Sequence, residues 1–212
     1  KSGGVKTAVM EMSAASGLPL LLPDELNPWI TSTYGTGEMI SDALNRGCRK
    51  FLVGIGGSAT NDAGTGMLSA LGVRFLDSSG QRLKGCGRDL ESIARIDMSS
   101  LMPAARESEF IVACDVNTPF CGPDGAARVF APQKGADPQT AEALDLGMRS
   151  FAQVIAEQFQ TDIVPLSGAG AAGGLGGAFK AFLNARLTAG IEMADYSVEE
   201  IPANLVDEAN EW

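Results

Sequence analysis

Apolar residues fall along this chain in two rhythms. Thr7–Met12, Phe51–Ile55 and Glu109–Ala113 are short, largely apolar runs, the pattern of strands buried in a parallel sheet. Elsewhere the spacing lengthens to three and four. Met39, Ile40, Ala43 and Leu44 predict a helix capped at Thr36, running through Arg46 and stopped by Gly47. Ala141, Leu144, Met148, Phe151, Val154 and Ile155 predict a long helix over Pro138–Gln158. Asn61 or Asp62 can cap a helix reaching about Leu71, and Ala178–Ala185 continues helically behind a glycine-rich entry loop, Gly168–Gly177. Gly72–Asp77 and Gln81–Leu83, split by Ser78-Ser79-Gly80, read as a hairpin. The alternation predicts α/β, a three-layer α/β/α arrangement around a mixed, mostly parallel sheet. Neither an internal repeat nor a low-complexity linker interrupts it.

Composition narrows the chemistry. Apolar residues make up 45% and charged residues 20% of 212 residues, as in ordinary globular proteins. No apolar run approaches the roughly 18 residues of a spanning helix. A net charge of −10 argues against nucleic acid or an anionic membrane as partner. Cys48, Cys86, Cys114 and Cys121 form no CxxC pair and read as free thiols of a cytoplasmic protein. No secretory leader is read in Lys1–Met12, and the chain, opening without an initiator Met, reads as an excised piece. Histidine is absent, which removes His-based hydrolytic triads and His-ligated zinc from within this sequence. Proton transfer then falls to Asp, Glu, Lys, Tyr or Cys, and a metal would take oxygen ligands, which suits Mg²⁺.

Three glycine-bearing loops hold the candidate chemistry. In the first, Gly56, Gly57, Ser58, Thr60, Asn61 and Asp62 follow a strand and precede a helix, where backbone amides and a helix start can receive an anion. It is not a Walker loop, since no Lys follows the glycines; a tight strand-to-helix turn with a good cap explains the same residues. In the second, Asp115 and Asn117 stand at the carboxyl end of a strand, suited to Mg²⁺ or a substrate hydroxyl, or else to an Asx turn before Pro119. Arg128 and Lys134 follow as cations available to a carboxylate or phosphate, or as solvated loop charges. In the third, Gly168, Gly170, Gly173 and Gly174 offer further amides, or close packing through small residues.

These stretches resemble the bacterial type I glycerate kinase family. The likeness rests on Gly56-Gly-Ser-Ala-Thr-Asn-Asp62 with Gly64, Ala113-Cys-Asp-Val-Asn117 with Pro119, Pro132-Gln-Lys-Gly-Ala136 and Gly168-Ala-Gly-Ala-Ala-Gly-Gly174, supported by Thr31–Met39 and Glu11–Leu18. It covers Thr7 to about Glu192. The resemblance implies ATP-dependent phosphorylation of D-glycerate with Mg²⁺, 2-phosphoglycerate being the favoured product, and a two-domain fold with the site in the cleft between domains. Residues 1–192 then correspond mainly to the family's inserted domain, and the acidic segment 193–212 departs from the pattern. The family's Pro-Asp-Ser-Phe-Lys-type, Ala-Asp-Gly-Gly-Glu-Gly and Thr-Gly-Glu-Gly-Arg segments are not found here, so a partial enzyme is expected, needing those segments as partners.

Within that expectation Asp62 orients or deprotonates the glycerate hydroxyl, Asp115 with Asn117 holds Mg²⁺ or substrate, and Lys134 or Arg128 neutralises charge. Ser58, the Gly56 and Gly57 amides and the Gly168–Gly174 loop cradle oxygens. Exchange of roles between Asp62 and Asp115, or a base from the segments not found here, fits equally. A non-catalytic sugar-acid or nucleotide-binding module is the alternative from another class.

Overall fold

A computed structural model describes residues 5–189; the expected acidic segment at 193–212 lies outside the described residues. In chain order the elements are β1 (Thr7–Glu11), α1 (Ser13–Ser16), α2 (Tyr34–Asn45), β2 (Lys50–Gly54), α3 (Thr65–Ala70), β3 (Arg74–Leu76), β4 (Arg95–Asp97), α4 (Pro103–Arg106), β5 (Glu109–Ala113), α5 (Ala126–Phe130), α6 (Pro138–Phe159), α7 (Ala171–Leu183) and β6 (Arg186–Thr188). The fold is α/β, as the alternation predicts.

Four strands pair in the order β1-β2-β5-β6, all parallel, and Glu11, Gly54, Ala113 and Thr188 end level with one another. The carboxyl edge of the sheet is therefore one straight rim. Side chains alternate across a strand, so Phe51, Val53, Phe110 and Val112 enter the main core together. Phe51 stacks on Phe110 with centroids 4.6 Å apart, and Phe110 meets Phe179 of α7 at 5.9 Å. Leu52 and Ile111 are buried on the opposite face, which explains why these strands carry no polar alternation.

Several boundaries differ from the sequence reading, each for a visible reason. α2 begins at Tyr34, ahead of Thr36, because Thr33 precedes it and the Thr36 hydroxyl bonds Ser16 Oγ at 2.9 Å instead of capping. α3 begins at Thr65 with Gly64 as its cap residue, in the left-handed region. Asp62 nevertheless accepts the Gly64 and Gly66 amides at 3.1 and 3.2 Å, doing from upstream what a cap does. The hairpin at Asp77 forms, its carboxylate accepting the Ser79 and Gln81 amides and Leu83 donating to the Phe75 carbonyl across a bridge from Leu76 to Arg82, but the longer antiparallel partner of β3 is β4. The three residues of β6 carry too little pattern to be read as a strand.

In α6 the expected stripe is realised: Asp137 caps it by accepting the Thr140 amide at 2.7 Å, and Leu144, Met148, Phe151 and Ile155 are fully buried. α7 is interrupted rather than simply preceded by glycine conformations, since Ala172, Gly173 and Gly174 are left-handed inside it. Because Phe110 links the sheet to α7, Phe110→Ala should lower the free energy of unfolding by about 3–5 kcal/mol in urea denaturation, with secondary structure retained in native buffer.

Candidate active site

Glycine at two consecutive positions lets the chain leave β2 sharply, and Gly57 uses that freedom with φ of 70°. The turn is then pinned: Leu18 donates to the Gly57 carbonyl at 2.8 Å and Ala59 donates to the Ser16 carbonyl at 3.0 Å. The amides of Gly56 and Gly57 make no hydrogen bond among the described residues, and both glycines are exposed. They line a cleft of about 220 Å³ at the carboxyl edge of the sheet, shared with Ser58, Asp115, Lys134 and the start of α7. Open α/β sheets place ligands at this edge.

Lys134 forms the floor. Its side chain is only 2% exposed, and its ammonium donates to the Thr60 carbonyl at 2.6 Å and to Ser58 Oγ at 3.3 Å. Ser58 Oγ also accepts the Thr60 amide at 3.1 Å. An ammonium has three donors, and these two bonds leave one for the cleft. Burial pulls the Lys134 pKa down to about 8, against the attraction of Asp62, which raises it.

Asp115 lines this cleft and also a neighbouring recess of about 320 Å³, which takes in Asn117, Ser167, Gly168 and Thr188. Ser167 donates to Asn117 Oδ1 at 2.7 Å, joining the second and third loops. No group of three or more His, Cys, Asp or Glu side chains converges among the described residues. Asp115, the one carboxylate lining both recesses, still suits Mg²⁺, because that ion keeps several waters and takes its remaining oxygens from one or two carboxylates and from phosphates.

Other expected site residues are placed elsewhere. Asp62 does not line the cleft: it is wholly buried, and its carboxylate accepts the Thr33 amide at 2.7 Å, the Thr33 hydroxyl at 2.8 Å and the Gly64 and Gly66 amides. Burial pushes its pKa up, opposed by these bonds. An acceptor so enclosed cannot meet a substrate hydroxyl in this conformation. Asn61 is buried too, donating to Met148 Sδ at 3.3 Å, with Oδ1 lacking a protein partner. Thr60 serves through its carbonyl. Arg128 turns away to α6, 3.3 Å from Glu142 and 4.0 Å from Asp145.

The third loop divides in two. Gly168 and the non-glycine Ala172 face the recesses, whereas Gly170, Gly173 and Gly174 are packing positions. A Cβ on Gly170 would strike the Pro119 carbonyl, and one on Gly173 the Thr60 carbonyl. Ala63 donates to the Gly173 carbonyl at 2.9 Å. These glycines brace the first two loops from behind.

Asp145 is a contributor that the sequence reading missed. Buried on α6, it accepts the Gly122 amide at 2.6 Å and pairs with Arg149 at 2.9 Å, anchoring the loop after Asp115. Its signal was a carboxylate four residues beyond Ala141, on the apolar stripe itself. Among the described residues no helix is long and apolar enough to cross a membrane, and the cysteines are unpaired.

A profile described as the Glycerate kinase family matches residues 2–201. The chain is 46% identical to a glycerate kinase of Haemophilus influenzae over 192 residues, covering 91% of this chain and 51% of that protein. It is 45% identical to the glycerate 2-kinase of Escherichia coli, covering 91% and 50%. A crystal structure assigned to glycerate kinase 2 of Salmonella typhimurium LT2 superposes with a TM-score of 0.87 at 45% identity, over 91% of this chain and 51% of that one. The chain thus spans about half the length of these relatives.

Two outcomes follow from the geometry. Folding lowers the Lys134 pKa from 10.5 to about 8, so the folded state sheds this proton first as pH rises. Sulfate affinity, measured by calorimetry, should fall as pH rises through about 8, and Lys134→Arg should flatten that profile, since guanidinium stays charged. Asp145→Ala leaves the Gly122 amide without its acceptor, while the half-exposed Arg149 returns to water, and should destabilise the fold by about 1–3 kcal/mol in urea unfolding.

Proposed function

The chain belongs to the glycerate kinase family, and on that premise we propose that it carries the anion-holding part of a site that phosphorylates D-glycerate with ATP. The observation that carries the reading is the buried Lys134 beneath the open Gly56 and Gly57 amides at the carboxyl edge of the sheet. Donors already fixed in place stabilise charge on carboxylate or phosphoryl oxygens without having to reorganise.

Phosphoryl transfer depends on positioning and charge neutralisation more than on a strong base. We assign Lys134, Ser58 and the two amides to the anionic oxygens. Asp115, with Asn117 beside it, is assigned to Mg²⁺ or to the acceptor hydroxyl, and Asp62 holds the turn that carries them. Mg²⁺, when bound, neutralises phosphate charge. The E. coli relative's name favours the 2-hydroxyl as acceptor, and a cytoplasmic setting suits the unpaired thiols. Chain outside this sequence, corresponding to the other half of the relatives, supplies the rest of the site.

That half-length coverage also favours a second reading, a module that binds a sugar acid or nucleotide without transferring phosphate. Amide NMR of the labelled protein, titrated separately with D-glycerate and Mg-ATP, tests both. Shifts at Gly56, Gly57 and Ser58 are expected with at least one ligand, and a folded protein unmoved by either sinks the site assignment. Lys134→Met should weaken binding of the active ligand about 10- to 100-fold, the scale of losing one hydrogen bond from a charged donor. ADP release from the protein with both substrates favours the kinase; binding without release, even when the rest of the relatives' length is supplied, favours the module.

A further inference from the structure

Three acidic or basic side chains of the described residues are buried almost completely: Asp62, Lys134 and Asp145. An isolated buried charge is strongly disfavoured, and such groups are paired or lose their charge. Asp145 has Arg149 in contact and Arg128 nearby. Asp62 and Lys134 have no ion-pair partner in contact, yet they lie on two sides of a single turn. Lys134 grips it at the Thr60 carbonyl, and Asp62 stands two residues further along. We infer that Asp62 is the counter-charge that keeps Lys134 ionised, and so acts on the cleft as a positioning residue without lining it.

The bonding of Asp62 fits the ionised form. Thr33 Oγ1 accepts the Met67 amide at 2.9 Å, so its own proton is free to go to Asp62. The Thr33, Gly64 and Gly66 amides can only donate. Ser32 Oγ, 3.4 Å from Oδ2, gives its proton to the Gly85 carbonyl at 2.8 Å; the other four contacts are donors, which favour the carboxylate against the burial that raises its pKa. Lys134, for its part, touches only a carbonyl and a hydroxyl, both neutral. The ionisable groups facing it across the cleft are Asp115 and the Cys114 thiol, and burial pushes that thiol's pKa up, keeping it neutral. The Asp62 carboxylate is the charge that raises the Lys134 pKa against burial. The inference rests on the proposed function only for the use made of the charge.

The test reads the Lys134 side chain directly, by pH titration of its ε-methylene NMR signal, assigned through its absence in Lys134→Arg. In the unmodified protein the midpoint should lie near 8. In Asp62→Asn it should move down by about one pH unit or more, while Asp115→Asn should leave it in place. Coincident midpoints in a folded Asp62→Asn overturn the inference, as does a shift produced by Asp115→Asn alone. The amide oxygen of Asn can replace Oδ2, which accepts most of the bonds, leaving only the Gly64 amide unserved. Should Asp62→Asn fail to fold, the double variant Asp62→Asn with Lys134→Met decides: restored cooperative unfolding upholds the counter-charge, and continued failure overturns it. Sulfate binding by the unmodified protein below pH 8 reports separately on the site assignment.

Discussion

Everything at the cleft depends on one backbone contact, the packing of the Thr60–Gly64 turn against Gly173 and Gly174. No side chain fits between them, because a Cβ on Gly173 would strike the Thr60 carbonyl and one on Gly174 would crowd the Cα of Ala63. The Ala63 amide closes the contact by donating to the Gly173 carbonyl. Holding it requires left-handed backbone at Ala63 and Ala172, with φ of 52° and 51°, a conformation that disfavours alanine by about 1–3 kcal/mol. Such strain persists only where the surroundings over-determine it. Here α7, the Asp62 bonds and the pinned Gly56–Ala59 turn do so.

That rigidity is what the electrostatics use. A chain with net charge of −10 would repel anions at most of its surface. At the sheet's carboxyl edge it presents two open amides and an ammonium held at fixed positions instead. The ammonium is kept out of water, which strengthens its pull on a ligand's charge but also favours loss of its own proton. Asp62 and Lys134 therefore belong to one device, with Thr60 between them. Asp145 does similar work for the next loop, fixing the Gly122 amide from α6 and leaving Arg128 to the helix surface rather than to the cleft.

How far the sequence could be read varies with the range of the forces involved. β2, β5 and α6 were legible because a continuous apolar run or a repeating stripe states its own burial. β6 was not, since three residues acquire strand geometry only by pairing with β5. The hairpin at Ser78–Gly80 was legible from its local turn, but β4, the longer antiparallel partner of β3, was not, since it lies beyond Ser92. At the site, Gly56, Gly57, Ser58, Lys134 and Asp115 could be picked out as candidates, since strand-end glycines and charged loops are local patterns. The burial of Asp62 and Asn61 could not, because their enclosing groups, Thr33 and Met148, are distant in sequence.

By itself, then, the sequence determined the α/β class, the family, and the three loops in which chemistry would sit. Local patterning and close identity to relatives both survive without coordinates. Only the tertiary structure decided which polar residues of those loops face the cleft and which support it from behind. Asp62 and Asp115 are the same residue type in similar loop positions. One is enclosed by donors at the starts of α2 and α3 and the other is left at the rim, a difference set by what packs around each carboxylate and not by any spacing along the chain.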